Sequence, residues 1–408
     1  MSIRTHMRFT LQSLIFFGVM SLVVVLGHVY LYRRLFRDTA KHPHWRRAGV
    51  VLMGLLATLM TSWWFVPRLL PGETASVLSQ LNWFWMGVAT YLLLAVLSLG
   101  GLRRLTGWLK RGRVAEAPVA PVVDPVVDEA RRQFLARTTA GVALAATGGM
   151  AGYGVWRAYH PPVVNEVAVK LPGLPKALDG FRIIQLSDVH VGPLIQRRFM
   201  DAVVAQCNDL KGDLVCITGD LVDGRVAQLG HGVGALSNLR SRHGTYFVTG
   251  NHEYYSGDEE WAEALSRMGV TVLRNRHVRI GEPGASFDLV GVDDWGAHRS
   301  GYPRERSYDL AAATAGRDPS RASVLLAHQP AGWREHALKA GMGLQLSGHT
   351  HGGQFFPFNL VVSAIWEHDA GLFREGDSHI YVSRGTGFWG PPLRVGAPPE
   401  IVKVTLLA

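Results

Sequence analysis

Twenty-three residues, Phe9 to Leu31, pass without a charged side chain. Lipid offers a backbone no hydrogen-bond partners, so a run of this length is confined to a helix, about 35 Å long at 1.5 Å per residue. Ala48–Val66 and Ser79–Leu99 are uncharged runs of similar length, with Trp63, Trp64, Trp83 and Trp85 near their ends. Amphipathic rings favour the membrane interface, so residues 1–113 are expected to form three transmembrane helices joined by basic loops.

Charge separates the chain into two parts. Residues 1–160 carry 18 Lys and Arg against 6 Asp and Glu, and residues 161–408 carry 24 against 26, within a net charge of +10. The basic excess therefore belongs wholly to the first part. A nucleic-acid partner for the second part loses its main electrostatic support. Between the first two spans lie Arg33, Arg34, Arg37, Lys41, Arg46 and Arg47 against Asp38, and after the third come Arg103, Arg104, Lys110, Arg111 and Arg113. The positive-inside rule places both loops in the cytoplasm.

Residues 114–130 read as a linker in which Pro118, Pro121 and Pro125 oppose a helix. Arg131-Arg132-Gln133-Phe134-Leu135 and the uncharged Thr138–Trp156 resemble a twin-arginine export signal placed internally, or equally an ordinary fourth span with basic flanks. Either way residues 131–160 carry the chain out, and residues 161–408 are expected outside the cytoplasm of a bacterial inner membrane. Cys207 and Cys216 read as small buried hydrophobes rather than a disulfide or metal ligands.

Beyond Val163 short apolar runs alternate with helix-like stretches such as Gln196–Asp209, Val226–Leu239, Glu259–Met268 and Gly332–Ala340. Such alternation indicates an α/β domain with strands buried on both faces. Five fragments follow these apolar runs directly: Ser187-Asp188-Val189-His190, Gly219-Asp220, Gly250-Asn251-His252-Glu253, Ala327-His328-Gln329 and Gly348-His349-Thr350-His351. Open α/β sheets put their sites at the carboxyl ends of strands. Mixed imidazole and carboxylate donors suit Mn, Fe or Zn, with Mn favoured, over Mg or Ca. Seven or eight such donors exceed one ion and fit two, about 3.5–4 Å apart with a bridging carboxylate.

In order and content the five fragments resemble the calcineurin-like metallophosphoesterase superfamily, within it the bacterial branch of transmembrane proteins with a metallophosphoesterase domain. Gly291-Val292-Asp293-Asp294 and Ser383-Arg384-Gly385-Thr386-Gly387 add to the likeness. The resemblance implies a four-layer β-sandwich flanked by helices, preceded by a helical membrane anchor. It further implies that Asp188, His190 and His351 hold one metal, that Asn251, His328 and His349 hold the other, and that Asp220 bridges them. His252 would contact the phosphate or protonate the leaving oxygen. Two dications would supply a hydroxide nucleophile near neutral pH and neutralise the phosphoryl oxygens.

Of the remaining residues, Asp293 and Asp294 read as turn or cap acids, and Asp223 as a turn acid. Glu253 reads as orienting His252 or capping a helix, and Arg384 and Arg394 as either phosphate-binding or structurally paired. The expected function is hydrolysis of phosphate esters, with lipid-linked esters suggested by the apolar segments Phe355–Val362 and Phe388–Leu393, both expected to be loop-like. The rival readings are a UDP-2,3-diacylglucosamine-type pyrophosphate hydrolase, whose cytoplasmic substrate conflicts with the topology, and a membrane sensor without turnover. The topology predicts that an extracytoplasmic reporter fused after Ala408 is active and one fused after Arg113 is silent. The reverse pattern would refute the loop-charge argument.

Overall fold

The structure, a computed structural model, describes residues 11–62, 70, 72–111, 125–298 and 301–408. Phe9, Trp63, Trp64, Val66, Pro118 and Pro121 lie outside the described residues. The chain divides into two compact units, Met1–Gly152 and Tyr153–Ala408.

The first unit contains α1 (Leu11–Tyr32), α2 (Pro43–Ser62), α3 (Gly72–Arg111) and most of α4 (Pro125–Tyr159). Leu31, Met53, Leu92, Val96 and Ala143 are buried together among them. His28 sits between a helical carbonyl and an indole: its Nδ1 lies 2.8 Å from the Val24 oxygen, and the Trp85 indole donates to its Nε2 at 2.9 Å. Two segments, Leu14–Arg37 and Thr74–Leu109, are long and apolar enough to cross a membrane. The expected span Ala48–Val66 is described only as far as Ser62, in α2, and residues 131–159 of the expected fourth segment fall in α4.

The expected linker is corrected at its end, because α4 already begins at Pro125. A proline in the first helical turn lacks only an N–H that has no intrahelical partner there, so Pro125 starts the helix instead of opposing it.

The second unit is built on two six-stranded sheets. The first has the order β1 (Val163–Lys170), β12 (Glu400–Leu407), β2 (Phe181–Leu186), β3 (Leu214–Thr218), β4 (Thr245–Val248), β5 (Val270–Val272). The second has the order β10 (Gly371–Glu375), β11 (Ser378–Val382), β9 (Leu344–Ser347), β8 (Ser323–Leu326), β7 (Ala285–Gly291), β6 (Arg276–Glu282). Strands β2 to β5 run parallel, as do β11, β9, β8 and β7, so each sheet aligns several carboxyl ends. The carboxy-terminal β12 inserts between β1 and β2, parallel to the former and antiparallel to the latter.

Alternate side chains of each strand point to opposite faces, and both faces are covered. Between the sheets Ile183, Cys216, Val248 and Val404 pack with Phe287, Leu289, Val324 and Leu346, while Phe181 meets Phe287 edge-on. On the outer face of the first sheet α5 (Arg197–Asp209) lays Met200, Val203, Val204 and Cys207 inward, the spacing of one helical face. Beside it α6 (Val226–Val233) buries Val233, and α8 (Asp258–Arg267) buries Trp261, Ala264 and Leu265. Three acids in the first turn of α8 and Arg267 in its last complement the helix dipole. The outer face of the second sheet is covered by Leu310 and Ala313 of α9 (Leu310–Thr314) and by the turn Trp333–Ala337. Four layers result. Cys207 and Cys216 are free and buried, as the sequence indicated.

Three local expectations are revised. Val226–Leu239 is a shorter α-helix followed by a 3-10 turn at Gly234–Asn238, since Gly230, Gly232 and Gly234 shorten the regular run. Gly332–Ala340 holds only a single wide turn after Gly332, which has a left-handed backbone. Phe355–Val362 is not simply a loop: Pro357 precedes α10 (Phe358–Ile365), where its missing N–H costs nothing.

Candidate metal centre

The carboxyl ends of both sheets meet at one place. From the first sheet come Asp188 and His190 after β2, Asp220 after β3, and Asn251 and His252 at the start of α7 (Asn251–Ser256), which follows β4. From the second come His328 after β8 and His349 and His351 after β9. The side chains converge because the backbone leaves extended geometry at the strand ends. Asp188, His190, Asp220, His349 and His351 all have φ between 50° and 73°, a region that non-glycine residues seldom occupy. Such strain persists only where the surroundings enforce it. Close approach demands glycine as well. A Cβ on Gly348 would strike Ser187 and Asp188, and one on Gly250 would strike Asp220.

Three groups of donor atoms lie close enough to share an ion: Asp188, His190 and His351; Asp220, His328 and His349; and His190, Asp220 and His252. In the first, His190 Nε2 is 3.1 Å from His351 Nε2, which is 3.5 Å from Asp188 Oδ1. In the second, His328 Nε2 is 3.1 Å from His349 Nδ1 and 3.2 Å from Asp220 Oδ2. That Asp220 oxygen is also 3.9 Å from His190 Nε2, so one carboxylate reaches both groups. The Asn251 side-chain oxygen is buried without a hydrogen-bond partner. A buried polar atom left unpaired is costly, and a metal ion is a partner that removes the cost. The residues present therefore fit a centre for divalent metal.

The outer atoms of the rings are fixed by the fold. His328 Nδ1 lies 2.8 Å from the Thr218 carbonyl. Asp223 Oδ1 lies 3.0 Å from His190 Nδ1 and 2.6 Å from His252 Nδ1. The Arg394 guanidinium is 3.0 Å from His351 Nδ1. Partners on the distal ring nitrogen set the tautomer and orientation of a ligating histidine. Backbone amides do the same for the acids: the His349 N–H donates to Asp188 at 2.9 Å and the His252 N–H to Asp220 Oδ1 at 2.8 Å.

Electrostatics follow from this crowding. Burial raises the Asp188 carboxyl above the usual range despite nearby His328. Burial would raise Asp220 too, but His328 and His252 outweigh it and hold its carboxyl well below the usual range. Burial pushes His349 down to about 3, helped by the His328 charge. For His252 burial acts downward, but Asp220 and Asp223 prevail and lift it to about 9.

Asp223 is the residue the sequence reading undervalued. A single acid three positions after Asp220 has no signature in the chain, and only the fold shows that it serves two histidines from different elements. Its side chain is a quarter exposed, and the two rings hold its carboxyl far below the usual range against the effect of burial. Glu253 caps rather than orients: its carboxylate accepts from the backbone N–H groups of Gly250, Asp220 and Leu221, tying α7 to the β3 turn. Asp293 pairs with Arg274 at 2.7 Å, and Asp294 accepts from Gly296 and Gln329, so both are structural acids.

Arg384 pairs with the fully buried Glu400 through Nε at 2.9 Å and through Nη2, and its stem lies against Gly352. Arg394 is fully buried and donates to the carbonyls of Gly387, His351, Arg384 and Ala397. Structural pairing is what the geometry records for both arginines.

The chain belongs to the calcineurin-like metallophosphoesterase family and is a metal-dependent phosphoesterase. Residues 181–353 match the family model described as calcineurin-like phosphoesterase. The chain is 33% identical to a zebrafish (Danio rerio) transmembrane protein with metallophosphoesterase domain, over 98% of this chain and 90% of that one. The cattle (Bos taurus) protein of the same description is 33% identical over 95% and 87%. An uncharacterised metallophosphoesterase of Helicobacter pylori is 39% identical over 62% of this chain and 67% of its own. The likeness thus extends to vertebrate proteins and is not confined to a bacterial branch.

His252 generates a pH prediction. Its pKa in the metal-free fold, about 9, exceeds its ordinary value of 6.5. The stabilisation it contributes is therefore complete below about pH 6.5 and lost as pH rises through about 9. In chelator-treated protein the unfolding free energy of the wild type, measured by urea titration, should fall across that window by roughly 1–3 kcal/mol relative to His252→Gln. Parallel pH profiles for the two proteins would contradict the assignment.

Proposed function

We propose that the protein is a four-span membrane-anchored hydrolase that uses two divalent ions, Mn favoured over Fe or Zn, to cleave phosphoesters carried by lipids on the extracytoplasmic side of a bacterial inner membrane. Asp188, His190 and His351 would hold one ion, Asn251, His328 and His349 the other, and Asp220 would bridge. The observation that carries this reading is the position of Asp220 Oδ2, 3.2 Å from His328 and 3.9 Å from His190, one member of each triad. Bound there, the ions would supply a hydroxide-like nucleophile at neutral pH and neutralise charge on the phosphoryl oxygens.

The chain's own groups account for the remaining chemistry. Asp223 accepts from the Nδ1–H of His252, which leaves Nε2 facing the metal side, 3.9 Å from Asp220 Oδ2. When protonated on that nitrogen, His252 would donate to the departing oxygen. The same Asp223 oxygen holds Nδ1–H of His190, which turns the lone pair of His190 Nε2 inward. Tyr255 and Trp389 stand edge-on to His252, with ring centroids 5.4 and 5.6 Å away, and wall its side of the opening. Arg384 is held by Glu400 through Nε and Nη2, so the phosphate contact expected of it is not used in this mechanism.

The exposed Trp389 beside His252 and the exposed Phe356, Phe358 and Leu360 favour a lipid-linked substrate over a water-soluble one, since each buried CH₂ of an acyl chain adds about 0.8 kcal/mol of binding. On this reading kcat/KM rises with acyl length across one series of phosphoesters.

Two substitutions separate the roles. Asp220→Ala should lose both metal equivalents and nearly all hydrolysis. His252→Ala should retain both metals and lose about 10²–10⁴-fold in rate, the usual contribution of a general acid. Metal analysis beside turnover checks both, and an Asp220→Ala protein with two metals and normal activity would end the assignment.

A further inference from the structure

The segment Phe355–Trp366 contains no charged residue. It includes α10, in which Val362 is the buried residue while Phe358, Leu360 and Ile365 are 51%, 59% and 71% exposed. A helix on a water-facing surface ordinarily turns charged and polar groups outward. Here the outward groups are uncharged and, apart from Ser363 and Ala364, large and apolar, with Phe356 and Val361 exposed beside them and Trp389 47% exposed at the metal site. Contiguous apolar surface of this kind marks an interaction face.

What covers the face is indicated by the chain itself. The last turns of α4, Tyr153–Tyr159, belong to the catalytic unit and are packed into it. Ala158 is fully buried in the core and Tyr159 stacks edge-on with Phe388 at 5.2 Å. Gly154 lies against Leu393 and Val395, and its carbonyl accepts from the Arg394 N–H at 3.0 Å. The neighbouring carbonyl, that of Val395, accepts from the Phe356 N–H at 2.8 Å. One short strap therefore touches the end of α4 on one side and the entrance of α10 on the other. Tyr153, Trp156 and Tyr159 are exposed at that end, the composition of an interfacial aromatic belt. Three residues then lead into β1, about 10 Å at full extension.

We propose that α10 and Trp389, together with the aromatic end of α4, form a membrane-seated rim whose partner is the bilayer interface at which α4 ends. This deepens the lipid-phosphoester reading by stating how such a substrate arrives: the acyl part stays in the bilayer under α10 while the phosphate passes Trp389 to His252 and the metal centre. Burial of such apolar side chains at the bilayer interface is favoured in proportion to the area removed from water, and the aromatic rings at the end of α4 favour the same depth.

The test uses the full chain in phosphatidylethanolamine–phosphatidylglycerol vesicles, with an environment-sensitive fluorophore on Ile365→Cys or, separately, Leu360→Cys. Cys207 and Cys216 are buried and do not compete for the label. The control is Glu282→Cys, exposed in the β6–β7 turn at the opposite end of the strands from the site. At Ile365 and Leu360 the emission should shift to the blue, be quenched several-fold by doxyl-labelled lipid chains, and resist iodide. At Glu282 iodide should quench and the doxyl lipids should not. If iodide quenches the Ile365 and Leu360 probes as fully as the control, the rim faces water and the proposal falls. The readout needs no turnover, so it stands apart from any failure of the hydrolytic assignment. Should the probes read lipid while kcat/KM ignores acyl length, the seat survives and the lipid substrate does not.

Discussion

Everything in the catalytic unit depends on burying Asp220 among the imidazoles of His190, His252 and His328. Its Oδ1 accepts from the His252 amide, its Oδ2 lies within 3.9 Å of His190, His252 and His328, and its own N–H is held by Glu253. A buried carboxylate is costly unless opposite charge compensates it. Each sheet supplies part of the carboxylate's surroundings, His190 from one and His328 from the other, so the site is complete only when the two sheets are stacked. The packing of Phe181 on Phe287 is in this sense part of the metal centre. Burial there fixes the distance between two sets of strand ends.

The chemistry-bearing residues were legible in the chain because their pattern is local: a donor placed directly after an apolar run, next to glycine, five times in order. Their positive φ values were not legible, since no residue type at Asp188 or His351 announces a left-handed backbone. Asp223 was missed for a related reason. Its role depends on the meeting of the β2 turn, the β3 turn and α7, and that meeting is set by packing. Glu400 and Arg394 show the same limit: each is fully buried, and each acts on residues far away in sequence.

Proline misled twice, at Pro125 and Pro357, and in both cases its position relative to the helix start decided the outcome. A proline ahead of or within the first turn begins a helix as readily as one in the interior ends it.

The central claim is that two ions, bridged by Asp220, occupy the place where the sheets meet. Anomalous diffraction from crystals of the manganese-loaded protein tests it directly. The account predicts two peaks about 3.5–4 Å apart, one beside Asp188, His190 and His351 and one beside Asn251, His328 and His349, with Asp220 between them. A single peak, or peaks away from Asp220, would contradict it.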